Sequence, residues 1–248
     1  MMADEQNKER QTSAAPIAEA PGGGFFQSII EIFVDPFKVF ARIGAGLTWW
    51  KPFILVCAVA MILGYLMLPF QRRLIELNQR GVSEEQLQKT LEEFGKFGPA
   101  TLILVPILLI VVYLILAGIM HIAINIMSSR SSFKKILSLI SFCGIITMVE
   151  QVIGTVVLKM RGLESIESAE DLKFTLSLAP LIGSGKGLLH AVLQSLSIFQ
   201  IWYYVVLILG IAAIFRISRK QAIMAVLPIW IISVLMILFG SKFGGGMR

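Results

Sequence analysis

After a polar opening the chain alternates long apolar runs with short polar connections. Residues 1–24 carry proline, alanine, glycine and scattered charges without periodicity, which predicts a disordered tail. From Phe25 the pattern changes: Phe25, Phe26, Ile29, Ile30, Phe33, Phe37, Phe40 and Ile43 recur at three- and four-residue steps, the period of an amphipathic helix. Asp35-Pro36 reads as a helix restart, with Asp35 as N-cap and Pro36 at the first helical position. The spacing therefore predicts two short helices, 25–34 and 36–43, lying in a membrane interface with their phenylalanines at the acyl boundary and Lys38 and Arg42 toward headgroups. A partly buried pair packed on neighbouring spans is the plainer reading of the same pattern. Five apolar runs follow: 52–70, 99–127, 136–158, 193–215 and 221–239. Each suits a hydrocarbon core that needs roughly 17–25 residues per helix. The second is long enough that it must tilt, kink near Pro106 or protrude. The glycine-rich stretch 176–192 suggests a re-entrant loop or an interfacial helix before the fourth run, and 241–248 reads as a flexible end.

Between the first two runs lies a sizeable polar segment, 71–98. Ser83-Glu84-Glu85-Gln86 has the form of a capping box, in which the serine hydroxyl takes an orphan amide while Gln86 reaches back. Leu87, Leu91 and Phe94 would then line one face of a helix that Gly95 ends. Composition agrees with the pattern. Of 248 residues, 56% are apolar and only 15% charged, with a mean hydropathy of +0.79; soluble domains reach about 45–50% apolar even with glycine included. The fold class expected is all-α: an integral membrane bundle of five helices with amphipathic interfacial N-terminal helices. Cys57 and Cys143 sit inside apolar runs, so no disulfide framework is expected. With two histidines and no cysteine cluster, neither a zinc site nor a haem site is supported, and no cofactor is expected. The opening residues lack the apolar core of a signal peptide, and neither end carries a lipidation box.

The net charge of +6 would suggest nucleic acid in a soluble chain, but in a membrane protein it first reports orientation. With five spans, lysines and arginines number 11 on each side. Density breaks the tie: SSRSSFKK and RISRK hold three cations each and no acid, while the other side dilutes its cations among nine acids in long loops. Short loops dominate the positive-inside rule, which puts the N-terminus in the cytoplasm and the C-terminus outside. No basic patch is left over for nucleic acid. Arg130, Lys134, Lys135, Arg216, Arg219 and Lys220 would meet anionic headgroups, at about 1 kcal/mol per charge near the surface.

Glu150 is the most informative polar residue, about 12 Å from the outer end of the third run at 1.5 Å per residue. An ionised carboxylate there costs at least about 2.5–3.5 kcal/mol, so Glu150 should face the bundle or water, paired or protonated. Depth matches it to Gln200 and Tyr203 of the fourth run, one of which is the expected hydrogen-bond partner. Such a carboxyl serves either as a proton or substrate site or as a packing lock. His121 and Asn125, one turn apart near the cytoplasmic end of the second run, form a polar notch with Ser128 or with headgroups. IGSGKGLLH lacks the spacing of a phosphate loop, which would need glycine at Pro180 and a hydroxyl at Gly187. Lys186 and His190 are placed near the surface instead. No serine–histidine–acid set shares a depth, since His190 and Ser195 fall on different faces of a helix. Catalytic and metal-ligating residues are therefore not assigned.

Two segments resemble a known family. EIFVDPFKVFARIGAGLTWWKPFIL enters the first span, and LSIFQIWYYVVLILGIAAIFRISRKQAIMAVLPIWII holds Phe199, Trp202, Gly210 and a basic Ser218-Arg219-Lys220 turn before the last span. With FKKILSLISFCG at the entry to the third span, these resemble the Yip domain family of Ypt-interacting membrane proteins, particularly its prokaryotic members, over about residues 25–240. The resemblance implies an acidic residue where this chain has Ser197, a visible departure. Eukaryotic relatives imply trafficking partners and small GTPases bound through a cytoplasmic tail, but the tail here is short and shows no peptide-docking pattern. Prokaryotic relatives imply no settled activity and a plasma-membrane location. The function expected is that of a non-enzymatic membrane-organising adaptor, with the bilayer, anionic lipids and other membrane proteins or a second copy as partners. The competing class is a permease or channel for a small solute or lipid along a polar path around Glu150. Small-residue spacing from Gly240 to Gly244 suits helix contact but lies at a helix end.

Overall fold

A computed structural model of the chain describes residues 23–79, 81–128, 131–168, 171–172 and 197–244. The expectations for the tail up to residue 22, for 176–192 and for the last four residues lie outside them. Eight α-helices and no strand occur among the described residues: α1 (Phe25–Val34), α2 (Pro36–Gly44), α3 (Trp50–Asn78), α4 (Glu84–Thr101), α5 (Leu104–Ser128), α6 (Phe133–Arg161), α7 (Ile198–Phe215) and α8 (Arg219–Gly244). Four of them, α3, α5, α6 and α7, are long and apolar enough to cross a membrane.

The architecture is built around α6. From Ile136 to Ile146 every residue is buried, because α1, α2, α3, α5 and α7 all pack against it, and α8 closes on α5 and α7. Small residues permit this crowding, as in membrane helix packing generally. Ser138, Ser141 and Gly144 recur every third residue; Ser138 Oγ donates to the Leu47 carbonyl at 3.0 Å and Ser141 Oγ to the Leu137 carbonyl at 2.8 Å. A Cβ on Gly144 would fall 2.1 Å from the Tyr113 hydroxyl, and one on Gly210 of α7 would meet Leu139 and Phe40 at 2.5 and 2.9 Å. The outer faces are the reverse. Ile107, Leu108, Ile115, Ile122 and Ile126 of α5 are all more than half exposed, a continuous apolar surface that only lipid can solvate in a monomer.

Several expected boundaries shift. α3 runs eight residues past the expected end at Phe70, and its polar extension carries Arg72 and Arg73, each 3.6 Å from Glu76. At 1.5 Å per residue its 29 residues exceed a hydrocarbon core of about 30 Å, so this charged end leaves the apolar layer. The segment 71–98 is thus not one connection: its first part completes α3 and the rest forms α4. In α4 the Ser83 hydroxyl accepts the Gln86 amide at 3.4 Å, but Gln86 does not reach back, so the box is half made. Leu87, Leu91 and Phe94 do share a half-buried face. Gly95 does not end the helix, which continues to Thr101. The run 99–127 is divided at Leu102–Ile103 rather than kinked at Pro106. Pro106 falls in the first turn of α5, where its missing amide would have had no partner anyway.

The N-terminal pair forms as two helices, yet two local details differ. Asp35 occupies the N-cap position without capping. The Lys38 amide donates to the Asp35 carbonyl at 3.2 Å, and the carboxylate pairs with the Lys38 ammonium at 3.1 Å. Arg42 does not face headgroups: it is 5% exposed and tied to Glu31. The pair is embedded on one side, where Ile32, Val39, Phe40 and Ile43 are buried, and bare on the other, where Phe26, Ile30 and Val34 form an exposed ridge at four-residue steps.

Beyond α6, a 3₁₀ turn (Leu163–Ser165) brings Ile166 onto Phe70 and Leu158. Asp171 Oδ2 fastens this loop, accepting the amides of Glu167 at 3.0 Å and Ser168 at 2.7 Å and the Ser168 hydroxyl at 2.9 Å. The Glu167 amide foremost, with both Ser168 donors, holds the carboxyl below its ordinary range. A lowered folded pKa means the fastening is complete above the unfolded value and is lost only as pH falls through the folded one. Amide shifts of Glu167 and Ser168 are expected to stay constant from neutral pH to below about 4, the ordinary aspartate value. A transition already complete at pH 5 would contradict this account.

Candidate functional site

Glu150 sits in α6, half-buried, and its Oε1 is fully enclosed with no hydrogen-bond partner among the described residues. The expected bond to Gln200 or Tyr203 is not made. Gln200 lies in the first turn of α7, where its amide donates to the Ser197 hydroxyl at 2.9 Å. Tyr203 stands edge-on to the Tyr204 ring, centroids 5.3 Å apart, and the Tyr204 hydroxyl donates to Ser233 of α8 at 3.4 Å. By residue count the two stand at similar distances from their helix ends, Glu150 17 residues from the start of α6 and Gln200 15 from the end of α7. Such a count leaves azimuth free, and azimuth decides a hydrogen bond. Ser197, at the position where the resemblance implied an acid, serves as the N-cap of α7. Either residue type can accept an orphan amide there.

His121 and Asn125 do come together, with Asn125 Nδ2 3.2 Å from His121 Nε2. The third member is Ser131, beyond the helix end. Its hydroxyl lies 2.5 Å from His121 Nδ1 and its amide donates to Asn125 Oδ1 at 3.4 Å. The cluster ties the chain just before α6 back onto α5, and the His121 ring meets Phe133 edge-on at 6.0 Å. It reads as a fastening of the loop.

The strongest buried polar cluster was missed by sequence reasoning. Arg42 of α2 donates to Ser28 Oγ at 2.8 Å and to Glu31 Oε1 at 3.2 Å, with a further contact to Glu31 Oε2, while Gln27 donates to Glu31 Oε1 at 2.9 Å. The available signal was a lone acid in FFQSIIEIFV and a lone base in FARIG, flanking the Asp35-Pro36 break. Reading Arg42 together with Lys38 as one cationic face concealed it.

The expected lipid contacts divide. Lys134, Arg216, Arg219 and Lys220 are exposed at the two short turns, Lys135 is half-buried, and Arg130 lies outside the described residues. Arg216 adopts the left-handed conformation that ends α7 (φ 53°). Ser218 and Gln221 then start α8 with a complete capping box: the Ser218 amide and hydroxyl each donate to Gln221 Oε1 at 3.0 Å, and the Gln221 amide donates to Ser218 Oγ at 3.3 Å. The S-x-x-Q pattern was readable in the sequence. Among the described residues no three histidine, cysteine, aspartate or glutamate side chains gather as metal ligands. A cavity of about 510 Å³ opens between α3, α5 and α6; Thr147 and Gln151 line it and Glu150 does not.

The Yip1 domain matches residues 30–240. The chain is 26% identical over 225 residues to "Membrane protein YknW" of Bacillus subtilis (strain 168), an alignment covering 86% of this chain and 90% of that protein. No solved structure matches. With that domain running from α1 into α8, the chain belongs to the Yip1 domain family of membrane proteins.

Proposed function

We propose that this protein is a non-enzymatic membrane-organising adaptor with five spans, α8 being the fifth, a cytosolic N-terminus and an external C-terminus. In a bacterial cell its location is the plasma membrane. Its partners are anionic lipids at the two basic turns and other membrane proteins, or a second copy, on the bare apolar faces. The α1–α2 pair lies in the interface, with its Phe26–Ile30–Val34 ridge in the acyl region. The observation that carries the reading is a continuous apolar cluster running from Ile32 and Phe40, through α6, to Ile229 of α8, whose buried polar neighbours Glu31, Arg42, Ser138 and Ser141 are bonded within the protein. The cavity beside it leaves Glu150 out of its lining. A transporter needs a polar path, and a scaffold needs fixed surfaces.

Crosslinking in native membranes, followed by identification of the captured proteins, tests the adaptor directly. Capture of the same membrane partners by wild type and Glu150→Gln is expected; recovery of lipid alone would contradict the reading. A tag at Arg248 is expected to label on intact cells, and labelling only after lysis would overturn the topology. The unpartnered Glu150 oxygen favours a second reading, proton or solute passage, which proteoliposomes holding a pH-sensitive dye distinguish. Proton entry equal to that of empty vesicles is expected for both wild type and Glu150→Gln. A flux that wild type supports and Glu150→Gln abolishes would replace the adaptor with a transporter.

A further inference from the structure

We propose that the cavity between α3, α5 and α6 is a binding slot for one acyl chain of a bilayer glycerolipid, whose ester region rests against Gln71, Gln151 and Thr155. Three helical stripes form its walls. Along α3, Val56, Ala60, Gly64 and Gln71 fall at helical intervals spanning about 22 Å. Thr147, Gln151, Thr155 and Leu158 do the same along α6 over about 16 Å, and Val105, Leu109 and Tyr113 face them from α5. The space is therefore elongated along the helix axes. One leaflet of a hydrocarbon core about 30 Å thick has a depth of about 15 Å, which matches the slot to a single extended chain.

The lining also selects among occupants. A cavity of about 510 Å³ has the volume of roughly 17 liquid waters at about 30 Å³ each. Each buried water needs two to four polar partners. The side chains offer Gln71, Tyr113, Gln151 and Thr155, too few for a column of that many waters: no lining residue is charged, and the Thr147 hydroxyl already donates to the Gly144 carbonyl at 3.0 Å. Empty apolar space of this size is unfavourable, because its walls forgo dispersion contacts. Hydrocarbon is the surrounding fluid able to fill it. Three of the polar groups, Gln71, Gln151 and Thr155, are gathered toward one end, while the Tyr113 hydroxyl lies against Gly144 toward the other. Gln71 precedes the charged end of α3, and Thr155 lies one turn before Lys159. None of the Gln71, Gln151 and Thr155 side chains has a hydrogen bond among the described residues, and Gln151 is exposed within a membrane helix. Amide and hydroxyl groups without internal partners at the watery end of an apolar slot suit the ester and glycerol oxygens of a lipid whose chain points inward.

The proposal rests on these helices crossing the bilayer, which the tag experiment checks separately. The test is native mass spectrometry of detergent-purified protein supplemented with palmitoyl-oleoyl phosphatidylglycerol. Wild type is expected to retain one lipid per chain under activation that strips the others. Ala60→Phe fills the slot and should reduce that retention at least tenfold, whereas Ala58→Phe on the exposed face of α3 should leave it intact. Gln151→Leu combined with Thr155→Val removes two of the three polar groups of the mouth without adding bulk and should weaken retention about tenfold, an outcome readable even if Ala60→Phe fails to fold. Absence of a retained lipid in wild type, or equal retention in the slot variants, overturns the proposal. So would rapid modification of Ala60→Cys by a membrane-impermeant thiol reagent, in a background with Cys57 and Cys143 replaced by alanine, because it would show water in the slot.

Discussion

Arg42→Ala is expected to lower the stability of the detergent-solubilised protein by about 3–5 kcal/mol, the range seen when one partner of a buried ion pair is removed. The guanidinium and the Glu31 carboxylate are 5% and 8% exposed, so water cannot replace the lost partner. Gln27 would remain as a neutral donor to Glu31, insufficient for a buried negative charge. The loss should be felt first where α1 joins α2, since the pair is the polar link across the Asp35-Pro36 break. Denaturant titration followed by tryptophan fluorescence measures the effect. Glu31→Gln with Arg42→Met removes both charges together and should cost clearly less than Arg42→Ala alone. If Arg42→Ala cost under about 1 kcal/mol, the two groups would have to be solvated, and the described burial would be wrong.

Gly210→Leu is the second large effect, with an expected loss of about 3 kcal/mol, at the upper end for overpacking a tight core. The first added carbon already falls 2.5 Å from a Leu139 methyl and 2.9 Å from the Phe40 ring, far inside contact distance. Three helices meet there, α2, α6 and α7, so relief at one requires displacement of another. Leu139→Ala in the same chain opens room on α6 and should recover part of the loss. A positive coupling between the two substitutions is the signature of direct contact. Additive effects in the double variant would show that Gly210 and Leu139 do not touch.

The helical class and the apolar segments were legible because hydropathy responds to each residue singly. Restarting the chain at Pro36 and placing α6 and α7 within a few residues required only proline position and run length. What remained hidden depends on which side of a helix meets which neighbour. Glu150 and Gln200 are matched by counting along their helices, and the bond does not form because such a count carries no azimuth. Arg42 was grouped with Lys38 by sign alone, although its partner lay eleven residues back across a break. Gly95 looked like a stop, but a C-terminal glycine signal works only where the following residues favour leaving the helix, and here Lys96 and Phe97 continue it. The Ser218–Gln221 box was visible and is made in full, whereas its counterpart at Ser83 is made by half. A local motif predicts a helix start more reliably than it predicts each bond within it.

The enclosure of α6 has a consequence for how the protein is made. In its most apolar stretch 61% of residues are covered by the rest of the chain, against 22% for α3 and α5. Synthesis proceeds from the N-terminus, so α6 leaves the ribosome before α7 and α8 exist to cover it. During that interval the side of α6 that Leu139 presents to Gly210 lacks its cover from α7. Completion of the core therefore waits on the last third of the chain, when Gly210 docks against Leu139.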